Sequence, residues 1–367
     1  MNTARTPPAP EVASLDYTLP EERIALWPAR ERDASRLLVV ERHGAGLRHR
    51  RFGDLLHLLE PGDLLILNDS RVFPARLRGR RDDARAVEVL LTERLDGIGS
   101  RAGTERWAVL ARTAGRVRAG EVWSLGPGLT CEVMRRLEDG RLEVRLHCAG
   151  AVLEAAARHG ETPLPPYIRR PVDPATDPHR YQTVYAGPLG SCAAPTAGLH
   201  FTPALLSALR SRGVRIASLT LHVGWATFRP LREEEPWPPP VPPESFVLSE
   251  ATAEAVAAAR RGGGRVVAVG TTSARVLEER ATAARQVRAG SGRCGLMIQP
   301  GHRFRVVDAL LTNFHLPRTS LLLLVGSFAG IGIIRAAYEE ALRSGYRFYS
   351  YGDAMLILGL PGGRGEV

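Results

Sequence analysis

Cys131-Glu132-Val133-Met134-Arg135-Arg136-Leu137-Glu138-Asp139-Gly140-Arg141-Leu142-Glu143-Val144-Arg145-Leu146-His147 reads as two strands joined by a tight turn. Apolar and polar residues alternate along both arms, the period of a strand with one wet face. Asp139-Gly140 is a hairpin signal between Cys131–Leu137 and Arg141–His147. The same texture recurs upstream at Ala86–Leu91, Arg106–Ala111 and Glu121–Leu125. The block from Ala84 to His147 is therefore expected to be an all-β module of about 70 residues, a small barrel in its simplest form.

On either side the texture changes. Arg36–Glu41 and Asp63–Leu67 are apolar runs that read as buried strands. Downstream, Pro203–Arg212 is a helix stopped by Gly213, and Val214–Leu221 is a strand. Ser249 caps a helix that runs to Gly262, and Arg265–Val269 is the next strand. Ser273–Arg285 and Arg335–Ser344 are predicted helices, the second ended by Gly345 before a strand-like Tyr346–Tyr351. Helices alternating with strands imply a layered sheet. The predicted fold class is an α/β main domain, a layered α-β-α sandwich, made discontinuous by an inserted all-β barrel-like domain. The expected divisions are residues 1–74 for the first part of the main domain and 75–150 for the insert. Residues 151–367 form the second part, which carries most of the site motifs. Residues 1–12, rich in Pro and Ala, are expected to be disordered, and 359–367 to be a frayed tail.

A chain of 367 residues exceeds the roughly 250–300 residues at which one core stops growing, so two domains are the default. The net charge of +10 favours a polyanionic partner such as nucleic acid. All 49 basic residues are arginine. Without lysine there is no internal Schiff base and no Walker-type phosphate loop. Arginine supplies instead a planar fork for phosphates and bases. Cys131, Cys148, Cys192 and Cys294 are scattered, with no C-x-x-C pair, and read as free thiols of a reducing compartment. No metal site is expected: H-E-x-x-H is missing, and the ten histidines show no ligand spacing. The start lacks the apolar core of a signal peptide, and the longest apolar run, between Arg318 and Arg335, is shorter than the ~18 residues of a bilayer span. These features point to a cytoplasmic protein without membrane partners.

Several segments carry chemistry-bearing residues at turns. Gly190-Ser191-Cys192-Ala193-Ala194-Pro195-Thr196-Ala197-Gly198-Leu199-His200-Phe201-Thr202 is a run of small residues that delivers a histidine. Small side chains let backbone approach a ligand closely. Asn68-Asp69-Ser70-Arg71-Val72-Phe73-Pro74-Ala75-Arg76 follows a buried strand, a favoured place for ligand-facing groups; Asp69 there either pairs with Arg71 or faces a ligand. Pro165-Pro166-Tyr167-Ile168-Arg169-Arg170 and Arg180-Tyr181-Gln182-Thr183-Val184-Tyr185 combine aromatic rings with guanidiniums, as RNA contacts do. Leu221-His222-Val223-Gly224 closes a strand. Gly270-Thr271-Thr272-Ser273-Ala274-Arg275 opens a helix whose first amides suit an anion, unless Thr272 or Ser273 caps them. Thr312-Asn313-Phe314-His315-Leu316-Pro317 puts Asn313 and His315 on one face, and Ser350-Tyr351-Gly352-Asp353-Ala354-Met355 ends in a carboxylate.

Taken in this order, with Tyr17-Thr18-Leu19-Pro20-Glu21-Glu22 and Arg32-Asp33-Ala34-Ser35-Arg36-Leu37 before them, these motifs resemble the S-adenosylmethionine:tRNA ribosyltransferase-isomerases of queuosine biosynthesis. The resemblance runs from about Leu15 to Met355. It departs where Trp225-Ala226-Thr227-Phe228 stands in place of Ala-Gly-Thr-Phe. It departs again where the proline patch Pro236–Pro243, ahead of Glu244, replaces a Met-His-x-Glu element.

The resemblance implies transfer and isomerisation of the ribosyl part of S-adenosylmethionine onto 7-aminomethyl-7-deazaguanine at the wobble position of tRNA. Epoxyqueuosine forms, and adenine and methionine leave. S-adenosylmethionine is then a co-substrate, with no tightly bound cofactor. The alternatives are a paralogue acting on a different acceptor and a non-catalytic RNA-binding relative. The expected catalytic residues are His200 and His222 as acid and base in either order, with Asp69 or Asp353 balancing the sulfonium. Tyr167 or Tyr351 would add a cation–π contact. Thr271 and Thr272 would hold the methionine carboxylate, Asn313 and His315 the adenine or ribose. Thr196, Gly198 and Thr227 complete the substrate wall. Arg71, Arg76, Arg169 and Arg180 would meet tRNA phosphates.

Overall fold

The chain is described here by a computed structural model covering residues 16–42, 46–95, 103–228 and 241–359. The segments expected to be disordered, 1–12 and all but the first residue of 359–367, lie outside the described residues, as does most of the proline patch. In chain order the strands are β1 (Arg36–Glu41), β2 (Leu47–Arg51), β3 (Leu64–Asn68), β4 (Arg71–Val72), β5 (Arg76–Arg81), β6 (Ala86–Arg94), β7 (Thr104–Thr113), β8 (Val122–Gly126) and β9 (Leu129–Arg136). They continue with β10 (Leu142–Cys148), β11 (Leu189–Ser191), β12 (Arg215–Leu221), β13 (Glu244–Leu248), β14 (Val266–Val269), β15 (Gly290–Cys294), β16 (Ala309–Asn313) and β17 (Ala354–Leu358).

Nine of these form one sheet in the order β15-β13-β12-β3-β14-β16-β17-β1-β2. The apolar runs β1, β3 and β14 are buried because both sheet faces are covered. Leu38, Val40, Leu64, Ile66, Val266 and Ala268 point into one core with helices Glu250–Arg261, Thr271–Glu279, Ser320–Ala329 and Ile331–Arg343. Their neighbours Leu37, Val39, Leu65, Leu67, Val267 and Val269 point into the other, under helix Pro203–Ser211. Strict alternation of apolar residues between two covered faces is the α-β-α sandwich.

The β-rich block forms a closed antiparallel barrel, β10-β7-β6-β5-β8-β9. Its hairpin turns at Asp139-Gly140 as expected: Gly140 has φ +87, and the Leu137 amide donates to the Arg141 carbonyl at 2.8 Å. Alternate residues fill the barrel interior, among them Leu77, Val89, Val109, Trp123, Cys131 and Leu146, and helix Val152–His159 plugs one end through Val152, Ala155 and Ala156.

Two elements differ from expectation. The helix expected at Ser273–Arg285 spans Thr271–Glu279. Beyond it the chain doubles back through an Ala281–Val287 bridge, with Arg285 at φ +59 and the Arg280 guanidinium holding the Arg288 and Ala289 carbonyls. Tyr346–Tyr351 is a turn rather than a strand. Phe348 bridges only Ile24, Tyr349 is left-handed at φ +73, and the rings of Tyr346, Phe348 and Tyr349 pack into the core. Its alternation reflects burial, not ladder pairing. The apolar run after Arg318 is two helices bent by 113°, and no described helix is long and apolar enough to cross a membrane.

Candidate active site

β3, β12, β14 and β16 lie side by side and parallel, so their carboxyl ends meet at one edge of the sheet. Asn68, His222, Gly270 and Asn313 stand at those ends. Ligands of α/β sheets bind outside the carboxyl ends of strands, where loops diverge and leave a crevice. Here the crevice is a cleft of about 950 Å³ between that edge and the barrel. Two small recesses open beside it, and Thr227 and Leu321 line all three spaces.

His222 lies in the cleft with its ring against Gly190, where a Cβ would stand 2.7–3.0 Å from the imidazole atoms. Its Nδ1 is buried with no hydrogen-bond partner among the described residues. Burial holds its pKa below the usual 6.5, opposed by the nearby Asp69 carboxylate. Asp69 accepts from the Thr220 and Ser218 hydroxyls at 2.6 and 2.8 Å. It makes no bond to Arg71, whose guanidinium instead holds the Ala186 and Gly187 carbonyls.

The loop carrying His222 is held from below. Glu244 accepts from the Gly224 amide at 2.6 Å and the Thr227 hydroxyl at 3.0 Å, and its second oxygen takes Arg275 at 2.5 Å. Asn68 grips both the amide and the carbonyl of Leu221 and reaches the Thr272 hydroxyl at 3.3 Å.

One recess is bounded by Gly270, Thr271 and Thr272, with Thr196, Asn313 and His315 opposite. The helix Thr271–Glu279 has no side-chain cap, because its cap position is Gly270, and Ser273 in its first turn donates back to the Val269 carbonyl. Its first residues border the recess, and uncapped amides at a helix start suit an anion. The other recess adds Tyr167, whose hydroxyl meets Ser350 at 2.5 Å. Thr196 donates to Asn313 at 2.9 Å, and Asn313 in turn meets His200 at 3.0 Å.

Apart from His315, the remaining expected residues sit outside these cavities. His200 is behind Asn313, stacked on Phe52, with both ring nitrogens bonded; burial, then Arg347 and Arg32, push its pKa down to about 3. His315 lines both recesses, its ring bonded to Thr312, and burial takes it to about 3 as well. Neither carries charge near neutrality. Asp353 spends its oxygens on the amides of Arg36 and Arg347, and Tyr351 bonds Asp177. Gly198 makes room for Tyr185, whose hydroxyl would lie 2.0 Å from an added Cβ. Arg76 and Arg180 anchor the carbonyls of Leu164, Ala29 and Arg30, while Arg169 is exposed and paired with Glu21 at 2.9 Å.

The barrel wall of the cleft escaped the sequence reading. Arg141 stands 5.8 Å over the Trp225 ring and pairs with Glu93 at 3.1 Å, and Glu93 also takes Arg293 of the main sheet at 2.6 Å. Residues on alternating strands carry no local mark of facing a cleft. Among the described residues no group of His, Cys, Asp or Glu is arranged to hold a metal ion, and all four cysteines are free and buried.

Comparison with known proteins agrees with this architecture. The profile described as "Queuosine biosynthesis protein" matches residues 12–357. The S-adenosylmethionine:tRNA ribosyltransferase-isomerase of Pelobacter propionicus is 48% identical over 94% of this chain and 99% of its own. That of Rhodospirillum rubrum is 49% identical over 93% and 96%. The crystal structure of S-adenosylmethionine tRNA ribosyltransferase from Thermotoga maritima aligns with a TM-score of 0.54 at 36% identity, covering 94% of this chain and 100% of that one. This chain therefore belongs to the queuosine biosynthesis protein family, that of the S-adenosylmethionine:tRNA ribosyltransferase-isomerases.

Proposed function

We propose that this protein transfers and isomerises the ribosyl group of S-adenosylmethionine onto the 7-aminomethyl-7-deazaguanine wobble base of tRNA, forming epoxyqueuosine and releasing adenine and methionine. The observation that carries the reading is one large cleft at the carboxyl edge of the sheet, with two small recesses beside it. A space of about 950 Å³ has room for a flipped nucleobase and a nucleoside sulfonium together, and the recesses, about 20 Å³ each, admit single groups of the ligand. The site of action is the cytoplasm, where tRNA is modified.

The reaction begins by removing a proton beside the sulfonium. His222 suits the base: its ring lines the cleft, and burial keeps the imidazole neutral and able to accept. The uncapped amides at Thr271 and Thr272 suit the methionine carboxylate. Asn313, His315, Thr196 and Thr227 suit the ribose and adenine, with the Tyr167 ring beside them. Asp69 acts on the sulfonium through His222, by disposing it to take the proton. Arg71 and Arg169 are exposed and suit phosphates, Arg169 by exchanging its surface ion pair with Glu21, while Arg76 and Arg180 brace neighbouring loops.

The test is release of free adenine from S-adenosylmethionine, with and without tRNA bearing the precursor base. Release that depends on the precursor is expected, and His222→Ala should slow it by roughly 10²–10⁴-fold. Adenine release without the precursor base would move the protein to a different acceptor, and full turnover by His222→Ala would remove that residue as the base.

A further inference from the structure

The hydrogen bonds behind the recesses define where each proton lies. The Asn313 side-chain nitrogen faces the Tyr349 carbonyl at 3.3 Å, the Asp353 carbonyl at 3.5 Å and the His200 Nε2 at 3.0 Å. Two carbonyl oxygens on that side require the NH₂ group there, because a flipped amide would set oxygen against oxygen. Asn313 Oδ1 therefore points at Thr196, 2.9 Å away, and can only accept. The Thr196 hydroxyl has one proton and gives it to Asn313. On the other side, His200 Nε2 must accept from Asn313, so the ring proton is on Nδ1. That proton goes to Ser35 Oγ at 2.8 Å, and the Ser35 proton goes to the Arg32 carbonyl at 3.2 Å.

We propose that Asn313, oriented by the Tyr349 and Asp353 carbonyls with His200 as a third acceptor, makes the Thr196 hydroxyl an obligate acceptor, and that Thr196 selects an N–H or O–H donor on the bound nucleoside. Asn313 is thus a positioning residue and Thr196 a specificity-determining one. The inference rests on the S-adenosylmethionine reading for its ligand but not for its hydrogen-bond chain. Thr196 is half-buried and lines both recesses, and with its proton given to Asn313 its oxygen has only acceptor capacity left for a ligand there. A buried acceptor left without a donor costs more than the bond it replaces, which is how such a group discriminates. The low pKa of His200 agrees with a ring that stays neutral and never exchanges its proton with substrate.

Two measurements test this. Nitrogen-15 spectra of the free protein should show the His200 ring neutral between pH 5 and 8 with its proton on Nδ1; a proton on Nε2, or titration in that range, overturns the chain. The second is calorimetric binding of S-adenosylhomocysteine, whose thioether cannot react, and of four counterparts each lacking one donor. These are the 2′-deoxy and 3′-deoxy compounds, the purine-riboside analogue with hydrogen in place of the adenine amine, and the compound without the α-amino group. One of the four should bind roughly 2- to 12-fold more weakly than the parent to the wild type, and no more weakly than the parent to Thr196→Val. His200→Phe, which keeps the ring packed on Phe52, leaves the Tyr349 and Asp353 carbonyls to orient Asn313 and should retain the wild-type pattern of losses; a Thr196→Val-like pattern there would overturn the role given to the carbonyls. If all four losses are the same in wild type and Thr196→Val, the selectivity claim fails, and this arm stands even if His200→Phe does not fold. A wild type that binds no S-adenosylhomocysteine would refute the S-adenosylmethionine reading instead, with the imidazole spectra still deciding the chain.

Discussion

Adding one methyl group at Gly190 should disable the site while leaving the fold in place. In Gly190→Ala the new Cβ would stand 2.7 Å from Cε1, 2.8 Å from Nδ1 and 3.0 Å from Nε2 of His222. Ordinary contact begins near 3.4 Å, so the ring must withdraw by about 0.7 Å at its nearest atom, the difference 3.4 − 2.7. It can do so, because its far side faces the open cleft. The clash is therefore relieved by moving the proposed base rather than by unpacking a core. Misplacing a catalytic group by ~1 Å can cost about 10²-fold, which sets the expected loss in kcat for adenine release. Gly190 has φ +156, and backbone strain for alanine adds on the order of 1–3 kcal/mol. Activity is accordingly measured well below the Tm of the variant, with circular dichroism as the control for folding. A Gly190→Ala protein that is folded and turns over at the wild-type rate would refute the placement of His222 as the base.

Three further outcomes follow from the same geometry. His200 and His315 are held near 3 against an ordinary 6.5, so below pH 6.5 the unfolded chain takes up two protons that the folded chain does not. Stability is then full above pH 6.5 and lost as pH falls toward 3, by about 1.4 kcal/mol per pH unit for each histidine; urea unfolding at pH 7.5, 6.0 and 5.0 should show His200→Phe losing one proton's share of that slope, and an unchanged slope would contradict the burial argument. The His222 pKa is lowered, so the acid limb of kcat/KM should fall below pH 6.5 with a plateau above it, and a limb at or above 6.5 would point to another base. Glu244→Gln leaves Arg275 buried without its counter-charge, which should cost about 3–5 kcal/mol, part of it recovered in Glu244→Gln/Arg275→Met; equal stability of the two proteins would show that the pair does not hold the His222 loop.

Much of the architecture was legible in the chain because its signals are local. Asp139-Gly140 fixes a hairpin wherever two alternating runs flank it, and the apolar runs of β1, β3 and β14 can only be buried on both faces. Part of the site was legible for the same reason: Asn68, His222, Gly270 and Asn313 fall where strands end, and parallel strands bring such ends to one edge. Helix boundaries without a glycine or proline mark were not, as at Glu279. The Tyr346–Tyr351 run misled because burial of alternate aromatics imitates the period of a strand.

What the sequence alone determined was the kind of fold and the set of polar residues at strand ends. Tertiary structure decided which way each of them faces. His200 and His222 look alike in the chain, yet one is walled in behind Asn313 with both nitrogens bonded, while the other lines the cleft with no hydrogen bond on its buried Nδ1. Arg76 and Arg180 are indistinguishable in sequence from phosphate ligands, and only the carbonyls around them show that they brace loops. The physical reason is that hydrogen-bond satisfaction is set by partners some hundred or more residues away along the chain, and no local pattern encodes them.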